Sequence, residues 1–226
     1  AGNNRKNIRE ALEASLKRIA TEYIDVYWLH SWDYLTPIDE VMRTLDDLVK
    51  QGKIFYIGIS DTPAWVVSRA NEYAKWHGLT PFSALQLQYS LILRDIEREF
   101  IPMANSLDLA ITAWGALGSG FLTGKYTSKE KSAGEESKGR VHELGMGHDK
   151  DEKKIEIAEK VSEVANEVGC HPSHVALLWT TKKYNLLFPI VGSRRNEQLK
   201  QNLEYLNYDL TPEQMQKLDD VSAIDL

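Results

Sequence analysis

Short β-branched and aromatic runs begin near positions 24, 54, 83 and 109, and a helical pattern of apolar residues stands between each pair. Polar residues close most of the runs. These observations predict an α/β fold of the (β/α)8-barrel type, with parallel strands joined by right-handed crossover helices. A doubly wound sheet satisfies the same alternation. The barrel is preferred because one helix promptly follows each strand and polar residues gather at the same strand end.

The first element is helical, since Ile8, Leu12, Leu16 and Ile19 recur every three to four residues and form one apolar stripe. Tyr23 to Leu29 reads as a buried strand ending at His30. Thr36 caps the next helix, Pro37 fits its first turn, and Asp39 completes a capping-box-like pattern. Val41, Leu45, Leu48 and Val49 form the apolar face of that helix, and Gly52 ends it. Ile54 to Ile59 is the next strand, tipped by Ser60 and Asp61. Thr62-Pro63 opens a helix that carries Val66, Val67, Ala70 and Tyr73 and closes near Gly78.

The cycle repeats with a strand over Ser83 to Tyr89, a helix from about Arg94 to Ser106, and a strand over Leu109 to Trp114. Gly, Ser, Lys and Glu then dominate, which predicts a long flexible loop over about 120–150 that serves as a lid. Helices follow over Glu152 to Val168, with Ile155, Ala158, Val161 and Ala165 inward, and over Ser173 to Lys183. The last strand is Leu186 to Val191, with helices after it around Asn196 to Tyr205 and Pro212 to Val221. Thr211 to Gln214 is a capping box.

Residues 1–226 are read as a single domain. It contains five strands, whereas an eight-stranded barrel takes roughly 250 residues. Three strands are therefore expected upstream of residue 1. The two sheet edges left open are a reason for chains to associate as a homo-oligomer.

Composition narrows the function. Lys and Arg number 27 against 33 Asp and Glu, a net charge of −6 spread along the chain, which argues against a nucleic-acid partner. The single cysteine, Cys170, makes a reducing, cytoplasmic compartment the default. No apolar run is long enough to span a membrane, and the polar N-terminus lacks a signal-peptide core. Cys170, His171 and His174 are interrupted by Pro172 and lack a fourth ligand, so no metal site is expected. His142 and His148 lie in the expected loop and offer no better one.

Five motifs together resemble the aldo-keto reductases, as its C-terminal portion. Tyr23-Ile24-Asp25-Val26-Tyr27-Trp28-Leu29-His30 and Gly52-Lys53-Ile54-Phe55-Tyr56-Ile57-Gly58-Ile59-Ser60 resemble the family's fourth and fifth strands. Gln86-Leu87-Gln88-Tyr89, the stretch from Trp114 to Tyr126, and Pro189-Ile190-Val191-Gly192-Ser193-Arg194 resemble the sixth, seventh and eighth. Each motif is weak alone; five in order across the chain are specific. Within the family the likeness is to the bacterial and channel-β-subunit-like branch.

The resemblance implies an NADP(H)-dependent oxidoreductase that reduces a small-molecule aldehyde or ketone by hydride transfer. It makes His30 the active-site histidine that orients the carbonyl; the plainer reading is a buried histidine satisfied by a backbone group. Ser60, Gln86 and Asp61 take the places of residues that hold the nicotinamide carboxamide, although Asp61 stands where many members have Asn and could instead cap a helix. Trp114 takes the place of the ring that stacks on nicotinamide, against a core role. Gly115, Leu117, Ser119 and Gly120 match the backbone that wraps the pyrophosphate, and Lys125 either adds a phosphate contact or is solvated. Gly192, Ser193 and Arg194 match the 2′-phosphate region and favour NADP over NAD. Gln198, Gln201 and Asn202 match adenosine-contacting positions, or form a polar solvated helix face.

Trp28, Trp32 and Tyr34 could line a substrate pocket, with Trp32 the choice and Trp28 equally suited to the core. In the family His works with an Asp, a Tyr and a Lys, and Tyr is a poor acid at neutral pH without its Lys. Those three belong to the second and third strands, so this chain alone is expected to have little or no reductase activity. Two alternatives stay open. One is a non-catalytic NADP(H)-binding or regulatory module. The other, disfavoured, is a metal-dependent hydrolase on the same architecture.

Overall fold

The computed structural model describes residues 2–124, 152–193 and 195–224. Lys125, Arg194, His142, His148 and nearly all of the expected loop over 120–150 lie outside the described residues. The elements run α1 (Arg5–Ile19), β1 (Ile24–His30), α2 (Ile38–Lys50), β2 (Ile54–Ser60), α3 (Ala64–His77), β3 (Phe82–Gln88), α4 (Phe100–Leu107) and β4 (Ala110–Trp114). After these come α5 (Glu152–Val168), α6 (Pro172–Lys182), β5 (Leu187–Pro189), α7 (Asn196–Leu203) and α8 (Pro212–Val221). The strands are hydrogen-bonded in sequence order, β1-β2-β3-β4-β5. The chain clusters into two compact units, Ala1–Leu87 with Glu99–Ile111 and Gln88–Arg98 with Thr112–Leu226.

In the first unit β1, β2 and β3 pair in parallel. Leu29, Ile57, Ile59 and Leu85 are buried, as are Val41, Met42, Leu45 and Leu48 of α2 and Val66, Val67 and Ala70 of α3. This is the expected packing of amphipathic helices on a sheet face. The opposite face differs from the sequence reading. Val26 is 37% exposed and its register partner Tyr56 60%, because no described helix covers them. Ile19, expected to complete the stripe of α1, is exposed as well.

The start of α2 also differs. Pro37 is its N-cap and offers no side-chain bond, while the Thr36 hydroxyl donates to Asp33 Oδ2 at 2.7 Å. Thr36 is committed to the preceding turn and cannot cap. On the open face, Trp28 and Gly58 are register partners, and a Cβ at position 58 would lie 2.5 Å from the Trp28 ring. The indole therefore lies against bare backbone.

The expected helix over Arg94 to Ser106 is split into a 3-10 turn, Asp95–Glu97, and α4. Pro102 is the cause. It is tolerated in the first turn of α4 but would break a helix that had begun at position 94. In the second unit β5 is only three residues long, Leu187–Pro189, against the expected Leu186 to Val191. Ile190 N still reaches Ala113 O at 2.8 Å. Helix α5 has the predicted bounds, with Ala158, Val161 and Ala165 buried and Ile155 partly so. The helix expected over Asn196 to Tyr205 becomes α7 followed by a 3-10 turn, Glu204–Asn207. The capping box at Thr211 is present on α8.

A buried ionic cluster anchors the segment after β3. Arg94 Nε and Nη2 each donate to Glu97 at 2.8 Å, and Nη1 donates to the Asp219 carbonyl and the Ser222 hydroxyl. The Tyr89 hydroxyl donates to Glu97 Oε1 at 2.6 Å, and Trp179 Nε1 donates to Asp219 Oδ1 at 3.0 Å. Burial pushes the Tyr89 pKa far up, and the Glu97 carboxylate adds to it, so the phenol remains a neutral donor. Burial alone would raise Glu97 too, but its bonds from Arg94 and Tyr89 outweigh that and hold it below the usual range.

Three outcomes follow from this packing. Arg94→Ala leaves Glu97 buried without its cation and is expected to cost about 3–5 kcal/mol in urea unfolding. A depressed carboxylate stabilises above its unfolded pKa of about 4.3 and loses that contribution as pH falls through the folded value. Urea midpoints followed from neutral to acidic pH should therefore fall less steeply in Glu97→Gln than in the parent, although the variant is weaker at neutral pH. Gly58→Ala must displace the Trp28 ring, and thermal unfolding should register a loss of about 1–3 kcal/mol.

Candidate functional site

Parallel pairing sets the geometry of the first unit. In the ladder His30 is opposite Ser60 and Ser60 is opposite Gln86, so the last or near-last residues of three strands stand side by side. The His30 side chain is 68% exposed. Ser60 is only 2% exposed, and its hydroxyl donates to the Gln86 carbonyl at 3.0 Å. Gln86 is half-buried. Ser31 N donates to Ser60 O at 3.1 Å, which carries the ladder one step past the strand ends.

Beyond these tips the backbone turns sharply. Ser31, Tyr34 and Asp61 all have positive φ (61°, 58° and 45°). The Asp61 carboxylate lies 3.5 Å from His30 Nδ1. It does not cap α3, whose N-cap is Pro63 with no side-chain bond. Thr62 instead donates its hydroxyl back to Ser60 O at 3.0 Å.

The turn after β1 is held by a residue pair that sequence reasoning missed. Asn3 N donates to Asp33 Oδ2, Asp33 N donates to Asn3 Oδ1, both at 2.7 Å, and Asn3 Nδ2 donates to Ser31 O. Asp33 Oδ1 also accepts from the N–H groups of Leu35 and Thr36. Burial would raise the Asp33 pKa, but these bonds reverse the effect and hold it well below the usual carboxylate range. The Asp-x-x-Thr spacing was the local signal for this turn; nothing local pointed to Asn3. Trp32, read as a substrate contact, is 9% exposed and lines a cavity of about 440 Å³ with Asn7, Ala11, Tyr27 and His30. Trp28, for which pocket and core were both open, lies on Gly58 and borders the same cavity. Tyr34 is exposed.

In the second unit Trp114 is the last residue of β4 and 37% exposed. Its carbonyl accepts from Tyr89 N at 3.1 Å. A tight turn follows, with Gly118 N donating to Gly115 O at 2.7 Å and Gly120 N to Leu117 O at 2.9 Å. Ser119 and Gly120 have φ of 56° and 102°, and nothing lies within 4 Å of a Cβ at 120. Gly192 and Ser193 are exposed, with open space at Gly192. On α7, Gln198 and Asn202 are half-buried and Gln201 is exposed. The Gln201 carbonyl pairs with Nε2 of the buried His174 at 2.6 Å, and His174 stacks on Tyr208. Among the described residues no three His, Cys, Asp or Glu side chains gather in a way that could hold a metal. None of the described helices is long and apolar enough to cross a membrane.

The chain is similar along its length to several known proteins. "Probable aryl-alcohol dehydrogenase AAD4" of Saccharomyces cerevisiae is 39% identical over 226 residues, all of this chain and 68% of its own length. "Aryl-alcohol dehydrogenase [NADP(+)]" of Phanerodontia chrysosporium is 40% identical over 221 residues, 97% of this chain and 57% of its own. "Norsolorinic acid reductase A" of Aspergillus parasiticus is 37% identical over 225 residues, all of this chain and 55% of its own. The chain thus spans between 55% and 68% of the length of these relatives. The sequence pattern of the Aldo/keto reductase family matches residues 1–223, and the chain belongs to that family.

Proposed function

We propose that this chain is the cofactor-holding part of an NADP(H)-dependent oxidoreductase that interconverts an aryl aldehyde or ketone and its alcohol. The observation that carries the reading is the alignment of His30, Ser60 and Gln86 at one strand end in a chain of this family. Two relatives are named for aryl alcohols, one of them with NADP(+). We rest the substrate class on them rather than on the bacterial and channel-β-subunit-like branch.

Each unit is assigned its own part of the work. In the first, exposed His30 hydrogen-bonds the substrate oxygen, while Gln86, Ser60 and Asp61 receive the nicotinamide carboxamide. In the second, the exposed Trp114 face is a flat surface for an aromatic ring. The fit to a dinucleotide rests on the turn from Gly115 through Leu117, Ser119 and Gly120, where the left-handed backbone at Gly115, Ser119 and Gly120 and the open space at Gly120 let a phosphate approach Gly120 without meeting a Cβ. Gly192 and Ser193 are similarly open to a phosphate, with Gln198, Gln201 and Asn202 on the following helix assigned to the adenosine. When bound, NADP(H) supplies or accepts the hydride.

The five strands are read as the fourth to eighth of an eight-stranded barrel, in one family domain. The greater length of the relatives and the open face at Val26 and Tyr56 support this. The Asp, Tyr and Lys partners of His30 then belong to sequence outside these 226 residues. Self-association through the exposed sheet edges is part of the same proposal and would appear in light scattering, and the lone cysteine suits a cytoplasmic setting.

NADPH should quench the tryptophan fluorescence of this chain, with much of the quenching lost in Trp114→Leu. The chain by itself should not turn over an aryl aldehyde. Joined to the upstream strands it should, and His30→Ala should then lower kcat by about 10²- to 10⁴-fold. Quenching without turnover even in the joined protein would mark a binding module; absence of quenching would overturn the assignment.

A further inference from the structure

We propose that Asp61 is a positioning residue for His30, fixing the proton of the neutral imidazole on Nδ1 and leaving Nε2 as a hydrogen-bond acceptor. The starting point is the ladder. His30 and Ser60 are register partners, so their side chains share a face of the sheet, and the residue after Ser60 would point to the other face if the strand continued. The strand does not continue. Asp61 turns into the left-handed region at φ 45°, a conformation that Asp tolerates better than most residues, and its carboxylate comes within 3.5 Å of His30 Nδ1.

Among the described residues the carboxylate has no competing partner, and it caps no helix. A carboxamide received at the same site would meet it already facing His30. The Ser31 N to Ser60 O bond holds the two turns together, so the pair does not depend on long, freely rotating side chains.

An ionised carboxylate only accepts hydrogen bonds, whereas a neutral imidazole carries one N–H and one lone pair. A proton on Nε2 would leave the Nδ1 lone pair facing the carboxylate oxygen, which is repulsive. A proton on Nδ1 makes the contact attractive. The partner of one ring nitrogen thereby decides the character of the other.

The consequence for substrate rests on the oxidoreductase reading above. Neutral His30 would meet substrate through an acceptor nitrogen, which complements the O–H of an alcohol, whereas a carbonyl oxygen would be met by the imidazolium, which donates from both nitrogens. The neutral protein is thus matched to the alcohol member of the pair.

Long-range proton–nitrogen NMR spectra of the 15N-labelled chain at pH about 9, where imidazoles are neutral, test the proposal. His30 is assigned by the signal lost in His30→Gln. The parent should show a protonated, pyrrole-like Nδ1 and a pyridine-like Nε2. In Asp61→Gly, which accepts the same backbone conformation without strain, the major form should switch to Nε2–H. A parent already in the Nε2–H form, or a glycine variant that leaves the tautomer unchanged, would overturn the proposal. Neither measurement needs cofactor or turnover, so its failure would leave the oxidoreductase reading standing, and the reverse also holds.

Discussion

Parallel, in-register pairing of β1 with β2 and of β2 with β3 is the constraint on which the site depends. Because the strands run the same way, the βα connections all leave from one end, and that is where a polar residue can be exposed without breaking the ladder. Among the described residues, helices cover this arrangement from one side. Val41, Leu45 and Leu48 are buried on that side. A slip of one residue in β1 would turn His30 to the helix side and set Leu29 on the open face.

The second unit is organised by burial of charge rather than by a ladder. Arg94 satisfies Glu97, Asp219 and Ser222 at once, and Tyr89 and Trp179 close over the cluster. The rigidity is useful beyond the cluster itself. Ile92, two residues away, lies 2.6 Å from where a Cβ on Gly118 would sit, so the anchored segment borders the turn assigned to phosphate. Stability and site geometry are therefore linked through one short stretch of chain.

Much of this was legible in the sequence. Periodicity located every α-helix that the structure describes but not the 3-10 helix over Gly118–Thr123, and α5 and α8 matched the expected bounds, because long amphipathic runs with glycine or capping-box boundaries carry their own punctuation. Shortfalls arose where a side chain had a distant or competing partner. Thr36 has the composition of a cap, but Asp33 claims its hydroxyl. Asp61 read as a cap or a cofactor contact, and its position beside His30 follows from a backbone turn that no local pattern specifies. Asn3 is thirty residues from its partner Asp33, a separation that propensity cannot see. Pro102 is a breaker visible in the sequence itself, and α4 accordingly begins at Phe100 rather than near Arg94.

The contact between Trp28 and Gly58 ties the histories of two strands together. With the indole lying on bare backbone, neither position is free to drift alone: a side chain can arise at 58 only in a lineage where the ring at 28 has already been trimmed or turned aside. Both positions sit two residues before a strand tip, one beneath His30 and the other beneath Ser60. Divergence in the floor of the site would consequently proceed by paired exchanges, with a bulky ring on one strand always answered by emptiness on its neighbour.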